Sequence, residues 1–405
     1  MPAAAFKSRL ALICQKMRQP LTTRQAYFLI FGISSGVYFI DFLCYLYRHY
    51  LPIAGNLAHD HTVIGLDFSE FWMAARLLIT QGAQAVYEPL VYANKMIAEF
   101  DDPGRVWAYP PTFLLIVWPL GILPYKAALI IWLGISLIVF VLANRPAHLN
   151  FLVCAALCLL IPNVSYSMFQ GQNGLLTSAL LIAAMHLNAR KPYVAGMLFG
   201  AMIIKPQLAL MVPIYLCATR NWRTMVASFA SALCIICASI AAFGTNAWEA
   251  YFTQISTYAS YLMGALFHRG MPTMYMFVLF ITHHPMAAMV AQACCSVIIL
   301  ISSYYAFTAT RNSGMHFMIV AAGMFLITPY TFVYDLPIVS IAVLYLLWHD
   351  NEPLRWQKVL LYGAVWFLPL IQLSLPIGAL VLSLFYWHVY DMALRQEVTA
   401  TEVVG

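Results

Sequence analysis

Apolar residues in this chain come in long runs, not in the alternation of a half-buried strand or the single stripe of a water-exposed helix. Runs such as 127–143, 224–243 and 286–307 have the ~20 apolar residues that cross a bilayer as a helix. Several other runs are short and broken by proline, so hydropathy alone leaves their number open. Basic residues resolve it, because Lys and Arg gather in the cytoplasmic loops of a membrane protein. They cluster at the N-terminus (Lys7, Arg9, Lys16, Arg18, Arg24), at Arg145, Arg190-Lys191, Arg220/Arg223, Arg311, Arg355/Lys358 and Arg395. Each neighbouring pair of clusters is then separated by an even number of crossings.

That parity predicts twelve spans, near 26–47, 126–144, 149–166, 173–189, 192–204, 207–219, 224–243, 286–308, 315–330, 335–349, 357–373 and 375–391, with both ends cytoplasmic. Fourteen of the 21 basic residues fall on the cytoplasmic side. The expected class is an all-α polytopic membrane protein, a single integral membrane domain over residues 1–405. Two proline-bearing stretches, 110–123 and 271–281, are left over. They are placed as re-entrant or half-depth elements on the outer side, which requires protein or a water-filled cavity around them.

The outer side holds two long loops, 48–125 and 244–285, each with an amphipathic helix. In the first, Phe68, Phe71, Trp72, Ala75 and Ile79 form the stripe, with Glu70 and Arg76 away from it. In the second the stripe is Trp248, Tyr251, Phe252, Ile255 and Leu262. Aromatic-rich helices of this kind lie flat in the membrane interface or pack on the bundle as core.

Composition agrees with the pattern: 63% of the residues are hydrophobic and only 9% charged, against roughly 25% charged in soluble domains. Mean hydropathy is +0.79. The net charge of +6 forms no basic stripe with interleaved aromatics outside the membrane segments, so nucleic acid is not an expected partner. The nine cysteines nearly all lie in apolar runs, which excludes a disulfide framework or a spaced zinc site. The basic N-terminus resembles the start of a signal peptide, but the apolar stretch after it has no small-residue cleavage site and reads as a retained first span.

With so few charges, polar residues near the membrane are informative. On the predicted topology they converge on the outer face: Asp67 and Glu70, Arg105, Gln170-Gly171-Gln172-Asn173, Lys205-Pro206, His268-Arg269, and Tyr330 with Tyr334-Asp335. Each also has a plain structural reading. Asp67 and Glu70 have the spacing of a helix capping box. Asn173 and Asp335 can cap the spans that follow them, and Lys205 can snorkel to the interface. Asp41, inside the first span, can pair with a neighbouring helix. His59-Asp60-His61 has no third partner at ligand spacing, so neither a metal site nor another cofactor is expected. Taken together, a carboxylate at this face can act as general base on a hydroxyl, with Lys and Arg beside it stabilising a phosphate leaving group. Nucleotide sugars are absent outside the cytoplasm, so a sugar donor there is a lipid phosphate reached sideways from the bilayer.

At these residues the sequence resembles a known family. Asp67-Phe68-Ser69-Glu70-Phe71-Trp72 with Ala74-Ala75-Arg76, then Val86-Tyr87-Glu88-Pro89, is similar to the first outer loop of glycosyltransferase family 87. So are Tyr109-Pro110-Pro111, Trp118-Pro119-Leu120, Gly171-Gln172-Asn173, Lys205-Pro206-Gln207, Thr328-Pro329-Tyr330 and Tyr334-Asp335, in the family's order. The resemblance implies a GT-C glycosyltransferase fold and inverting transfer of mannose or a related sugar. The donor is a polyprenyl-phosphate sugar and the acceptor a lipid or glycan hydroxyl, at the outer face of the bacterial cytoplasmic membrane. It makes Asp67 the general base and places Lys205 and the Gln172-Asn173 turn in the donor pocket. Arg105 and Arg269 are further candidates for the donor phosphate, and Glu70, His268, Tyr330 and Asp335 for the sugar and acceptor. One departure bears on the sugar: the characterised mannosyltransferases carry an Asp-His pair in the late outer motif, where this chain has Tyr334-Asp335-Leu336.

The competing reading is a transporter or a flippase for lipid-linked sugars, since twelve crossings with cytoplasmic ends suit transporters. Such proteins place their sites at the midplane between internal repeats. Here no repeat relates the halves, and the polar residues gather at one face.

Overall fold

The computed structural model describes residues 22–51, 55–58, 62–102, 105, 107–264, 269–349 and 353–402. The described chain is helical throughout, with 80% helix and no strand; a lone β-bridge joins Leu57 and Val63. The expected all-α, polytopic membrane class therefore holds.

Among the described residues four helices are long and apolar enough to cross a bilayer: Thr23–Arg48, Tyr125–Asn144, Trp222–Phe243 and Pro285–Ala309. A fifth candidate is the pair Phe151–Leu159 and Pro162–Phe169, bent by 83° where Pro162 cannot continue the preceding ladder. The long helices leave apolar side chains uncovered. Val226, Phe229 and Leu233 are 66%, 64% and 60% exposed, a state that water would penalise and lipid does not.

Several of the remaining apolar segments are short, as predicted: Pro192–Ile204 and Pro206–Ala218 match the expected stretches 192–204 and 207–219. Residues 192–204 form a helix only as far as Ala201 and then tighten into 3₁₀ geometry over Met202–Ile204. The next segment begins as a 3₁₀ turn, Pro206–Ala209, before helix Met211–Ala218. Lys205-Pro206 thus sits in a break between two half-length elements. At 1.5 Å per residue a 10-residue helix covers about half of the ~30 Å hydrocarbon core, so these segments depend on their neighbours. Helix Pro192–Ala201 does so through Gly196 and Gly200. A Cβ on either would lie 2.5 or 2.4 Å from a backbone oxygen of helix Trp222–Phe243, the close small-residue approach of membrane helices.

The first of the two helices expected to be amphipathic, Phe68–Gln81, packs as core. Phe68, Phe71, Trp72 and Ala75 of the predicted stripe are buried, whereas Ile79 is 47% exposed. Phe71 meets the rings of Trp107, Tyr109, Phe113 and Trp132 at 5.2–6.1 Å. Trp72 Nε1 and Arg76 Nη1 donate to the Leu123 and Gly121 carbonyls at 2.9 and 3.1 Å. These bonds fix the helix on residues 110–123, which form helix Pro111–Val117 and a 3₁₀ turn to Ile122. In the second, Thr245–Gly264, the buried edge over 245–256 runs through Ala247, Tyr251 and Gln254, while Phe252 points away at 60% exposure. Its inward face is therefore rotated from the predicted stripe, toward the small Ala247. Residues 271–281 begin as a loop and become helix Met274–Thr282, capped by Thr273.

Candidate active site

Asp67 stands where a helix cap would stand, immediately before helix Phe68–Gln81, but its side chain caps nothing. The tight turn ahead of it, with Gly65 at φ 77° and Leu66 at φ 41°, turns the carboxylate outward from the helix. Oδ1 accepts from Arg105 Nη1 at 2.6 Å and Oδ2 from Gln172 Nε2 at 3.0 Å. The capping-box reading of Asp67 and Glu70 is thus corrected: opposite charge and an amide from elsewhere in the chain outcompete the local backbone donors.

The Gln170–Asn173 turn is built against the same loop. Gly171 has φ +66°, and a Cβ there would lie 2.4 Å from the Gly65 carbonyl oxygen. Asp67 N donates to Gln170 O at 3.0 Å, and Trp132 Nε1 donates to Gly171 O at 2.9 Å. Held this way, Gln172 reaches Asp67 through its amide nitrogen and accepts from the Tyr109 hydroxyl through Oε1 at 2.8 Å.

Asn173 precedes helix Gly174–Leu187 without capping it. Its Oδ1 instead accepts from Lys205 Nζ at 3.0 Å, and its buried Nδ2 has no protein partner among the described residues. Lys205 Nζ also lies 2.6 Å from Asp335 Oδ1, with side-chain exposures of 3% and 0%. It faces the rings of Tyr334 and Tyr109 at 4.9 and 5.8 Å. Lys205 therefore does not snorkel; the break at Pro206 turns it inward. Asp335 closes a 3₁₀ turn, accepting from Phe332 N at 3.4 Å, and is not the cap of helix Pro337–His349. Gly174 makes the approach possible, since a Cβ there would lie 1.9 Å from the Tyr334 carbonyl oxygen.

Electrostatics divide the two carboxylates of the first loop. Arg105 donates through Nη1 to Asp67 and through Nε to Asp102, both at 2.6 Å. Burial disfavours its charge, but Asp67, Glu70 and Asp102 outweigh that and hold the guanidinium above its usual range. Glu70 has none of this support, and the carboxylate makes no hydrogen bond or ion pair among the described residues. Desolvation, then the neighbouring Asp67 charge, push its carboxyl well above the usual range, with Arg105 opposing. Some of its surface stays accessible, as for a group on the wall of a cleft.

The structure thus joins Asp67, Arg105, Gln172, Asn173, Lys205 and Asp335 through direct contacts. Glu70 and Tyr330 lie within electrostatic range of that cluster. Tyr330 also packs edge-on against Phe332, which stacks on Tyr334. Arg269 differs: its backbone oxygen is held by Gln372 Nε2 at 2.9 Å, while the residue is exposed. His268 and the His59-Asp60-His61 segment lie outside the described residues, and Asp41 is exposed on the first helix. Among the described residues no group of His, Cys, Asp and Glu is arranged to hold a metal ion. Sequence reasoning passed over Asp102 and did not single out Tyr109; the Asp102–Arg105 spacing of an (i, i+3) ion pair was the available signal.

Ile203 and Pro206, on either side of Lys205, line an apolar groove of about 210 Å³ with Phe199, Leu210, Val212 and Phe229.

No match was found among curated proteins or among solved structures. A comparison with family models matches residues 107–329, a stretch that carries Tyr109, Gln172, Asn173 and Lys205. Asp67, Glu70, Arg105 and Asp335 lie outside that stretch; Asp67 joins it through Gln172 and Asp335 through Lys205. The matching model is that of glycosyltransferase family 87, and since it covers more than half of the chain, this membrane protein belongs to that family.

Proposed function

We propose that this membrane glycosyltransferase takes a sugar, mannose or a related hexose, from a polyprenyl-phosphate donor. It passes the sugar to a lipid or glycan hydroxyl at the outer face of the bacterial cytoplasmic membrane, with inversion. The chain is taken to have the GT-C fold, with twelve crossings and cytoplasmic ends. The observation that carries this reading is the span from Asp67 to Lys205 through the Gln172-Asn173 turn. It sets a carboxylate and a buried ammonium at two ends of one polar wall.

In the reaction Asp67 accepts the acceptor's hydroxyl proton as the oxygen bonds to the anomeric carbon. Both carboxylate oxygens already accept one hydrogen bond, and each has a second lone pair. The bond from the anomeric carbon to phosphate breaks, and the charge developing on the phosphate is met by donors already in place. Lys205 has a third N–H beyond those directed at Asn173 and Asp335, and Asn173 Nδ2 is a second uncommitted donor. Arg105, engaged by two carboxylates, serves to orient Asp67. The groove past Ile203 and Pro206 suits an isoprenoid tail lying sideways in the bilayer.

The test is transfer of label from a polyprenyl-phosphate hexose to lipid or glycan acceptors in vesicles containing the purified chain. Labelled product with an inverted anomeric configuration is expected. Movement of the labelled lipid across the bilayer without product would overturn the reading in favour of a flippase.

A further inference from the structure

The charges around the proposed donor site do not balance if every group is ionised. Among the described residues two cations, Arg105 and Lys205, stand with four carboxylates: Asp67, Asp102, Asp335 and Glu70. Three of the four are bonded to a cation at 2.6 Å. The fourth, Glu70, has no hydrogen-bond or ion-pair partner for its carboxylate among the described residues. It follows Asp67 by three residues, one helical turn on the same side of the helix, and the bond from Tyr92 OH to Glu70 O at 2.8 Å anchors that turn.

The groups close to Glu70 come from every element around it: Asp67 on its own turn, Asp102 and Arg105 from the following loop, Lys205 from the broken span, and the phenols of Tyr109 and Tyr330. An ionised Glu70 would add an unpaired negative charge to a partly desolvated wall that, on the function proposed above, receives an anionic phosphate.

We infer that Glu70 stands in this site as a neutral carboxylic acid and donates a hydrogen bond to a phosphate oxygen of the donor. The inference rests on the polyprenyl-phosphate reading of the site. A phosphodiester is far more acidic than a carboxylic acid, so the proton remains on Glu70 when donor binds. As the sugar departs and negative charge grows on the phosphate, the bond becomes charge-assisted and stronger. No bond to Glu70 is made or broken. In this role glutamine, which also presents an N–H donor, can replace it; alanine cannot.

The experiment uses the full chain in lipid nanodiscs. The infrared difference between wild type and Glu70→Gln at neutral pH is expected to show the carbonyl stretch of one protonated carboxyl group. Affinity for the polyprenyl phosphate itself is expected to survive in Glu70→Gln and to fall about tenfold in Glu70→Ala, the worth of a hydrogen bond to a charged group. Absence of the protonated-carboxyl band overturns the inference, as does equal loss of affinity in both variants. If band and binding behave as expected but wild type transfers no sugar, the inference stands and the transferase reading falls.

Discussion

Asp67 and Gln172, 105 residues apart in sequence, meet at 3.0 Å, and the amide that makes this contact also accepts from the Tyr109 hydroxyl. The loop that carries Asp67 is thereby tied to the turn between helices Pro162–Phe169 and Gly174–Leu187. The neighbouring Asn173 carries the connection on to Lys205 and Asp335.

Replacing Asp67 with Asn keeps its shape and removes its capacity to take a proton. Turnover with a polyprenyl-phosphate hexose is expected to fall by about 10²- to 10⁴-fold, the contribution of a positioned general base. Donor affinity measured by equilibrium binding should stay near wild type. Turnover that persists in this variant would remove Asp67 from the base role.

The Lys205–Asp335 pair is buried on both sides. Breaking it with Asp335→Leu leaves an uncompensated ammonium and is expected to cost about 3–5 kcal/mol. Adding Lys205→Met should recover most of that stability without recovering activity. Denaturation in detergent beside a turnover assay separates the two roles.

Two glycine substitutions should diverge. In Gly174→Ala the new Cβ meets the Tyr334 carbonyl at 1.9 Å, so the turn must open, taking Asn173 away from Lys205. Gly134, in helix Tyr125–Asn144, has no atom within 4 Å of the corresponding position. Gly134→Ala is expected to be neutral or to stabilise by about 0.5–1 kcal/mol. Melting temperature and turnover report both outcomes.

Glu70 gives a pH dependence with a definite sign. Its carboxyl is raised from an ordinary value of 4.5, so folding favours the protonated form. The stability it contributes is fully present below the ordinary value and is lost as pH rises through the folded-state value. Glu70→Gln does not titrate, so its melting temperature should gain on wild type as pH rises above about 4.5. Parallel melting curves across pH would contradict this.

The match between sequence and structure is uneven for physical reasons. Runs of apolar residues report membrane immersion directly, and helices such as Trp222–Phe243 and Pro285–Ala309 were legible to within a residue or two. The break at Lys205-Pro206 was legible too, but the 3₁₀ geometry on either side of it was not, because Met202–Ile204 and Pro206–Ala209 carry no pattern that separates a 3₁₀ turn from an α-helix. The amphipathic stripe of Phe68–Gln81 identified a helix but not its burial under Trp107, Phe113 and Trp132. Motif order brought Asp67, Gln172, Lys205 and Asp335 to attention, while their bonds depended on loops meeting in space.

By itself the sequence determined that this chain is a helical membrane protein of glycosyltransferase family 87, and which few polar residues stand out. Solvation is additive along the chain, so composition and runs suffice for that. Only the tertiary structure decided what those residues do to one another. It turned Asp67 from a helix cap into the partner of Arg105 and Gln172, and Lys205 from a snorkelling side chain into a buried ion pair. It left Glu70, alone of the four carboxylates of the site, without a bonded cation among the described residues. A carboxylate's state depends on which charges and amides lie within a few ångströms, and here those come from residues 38 to 130 positions away.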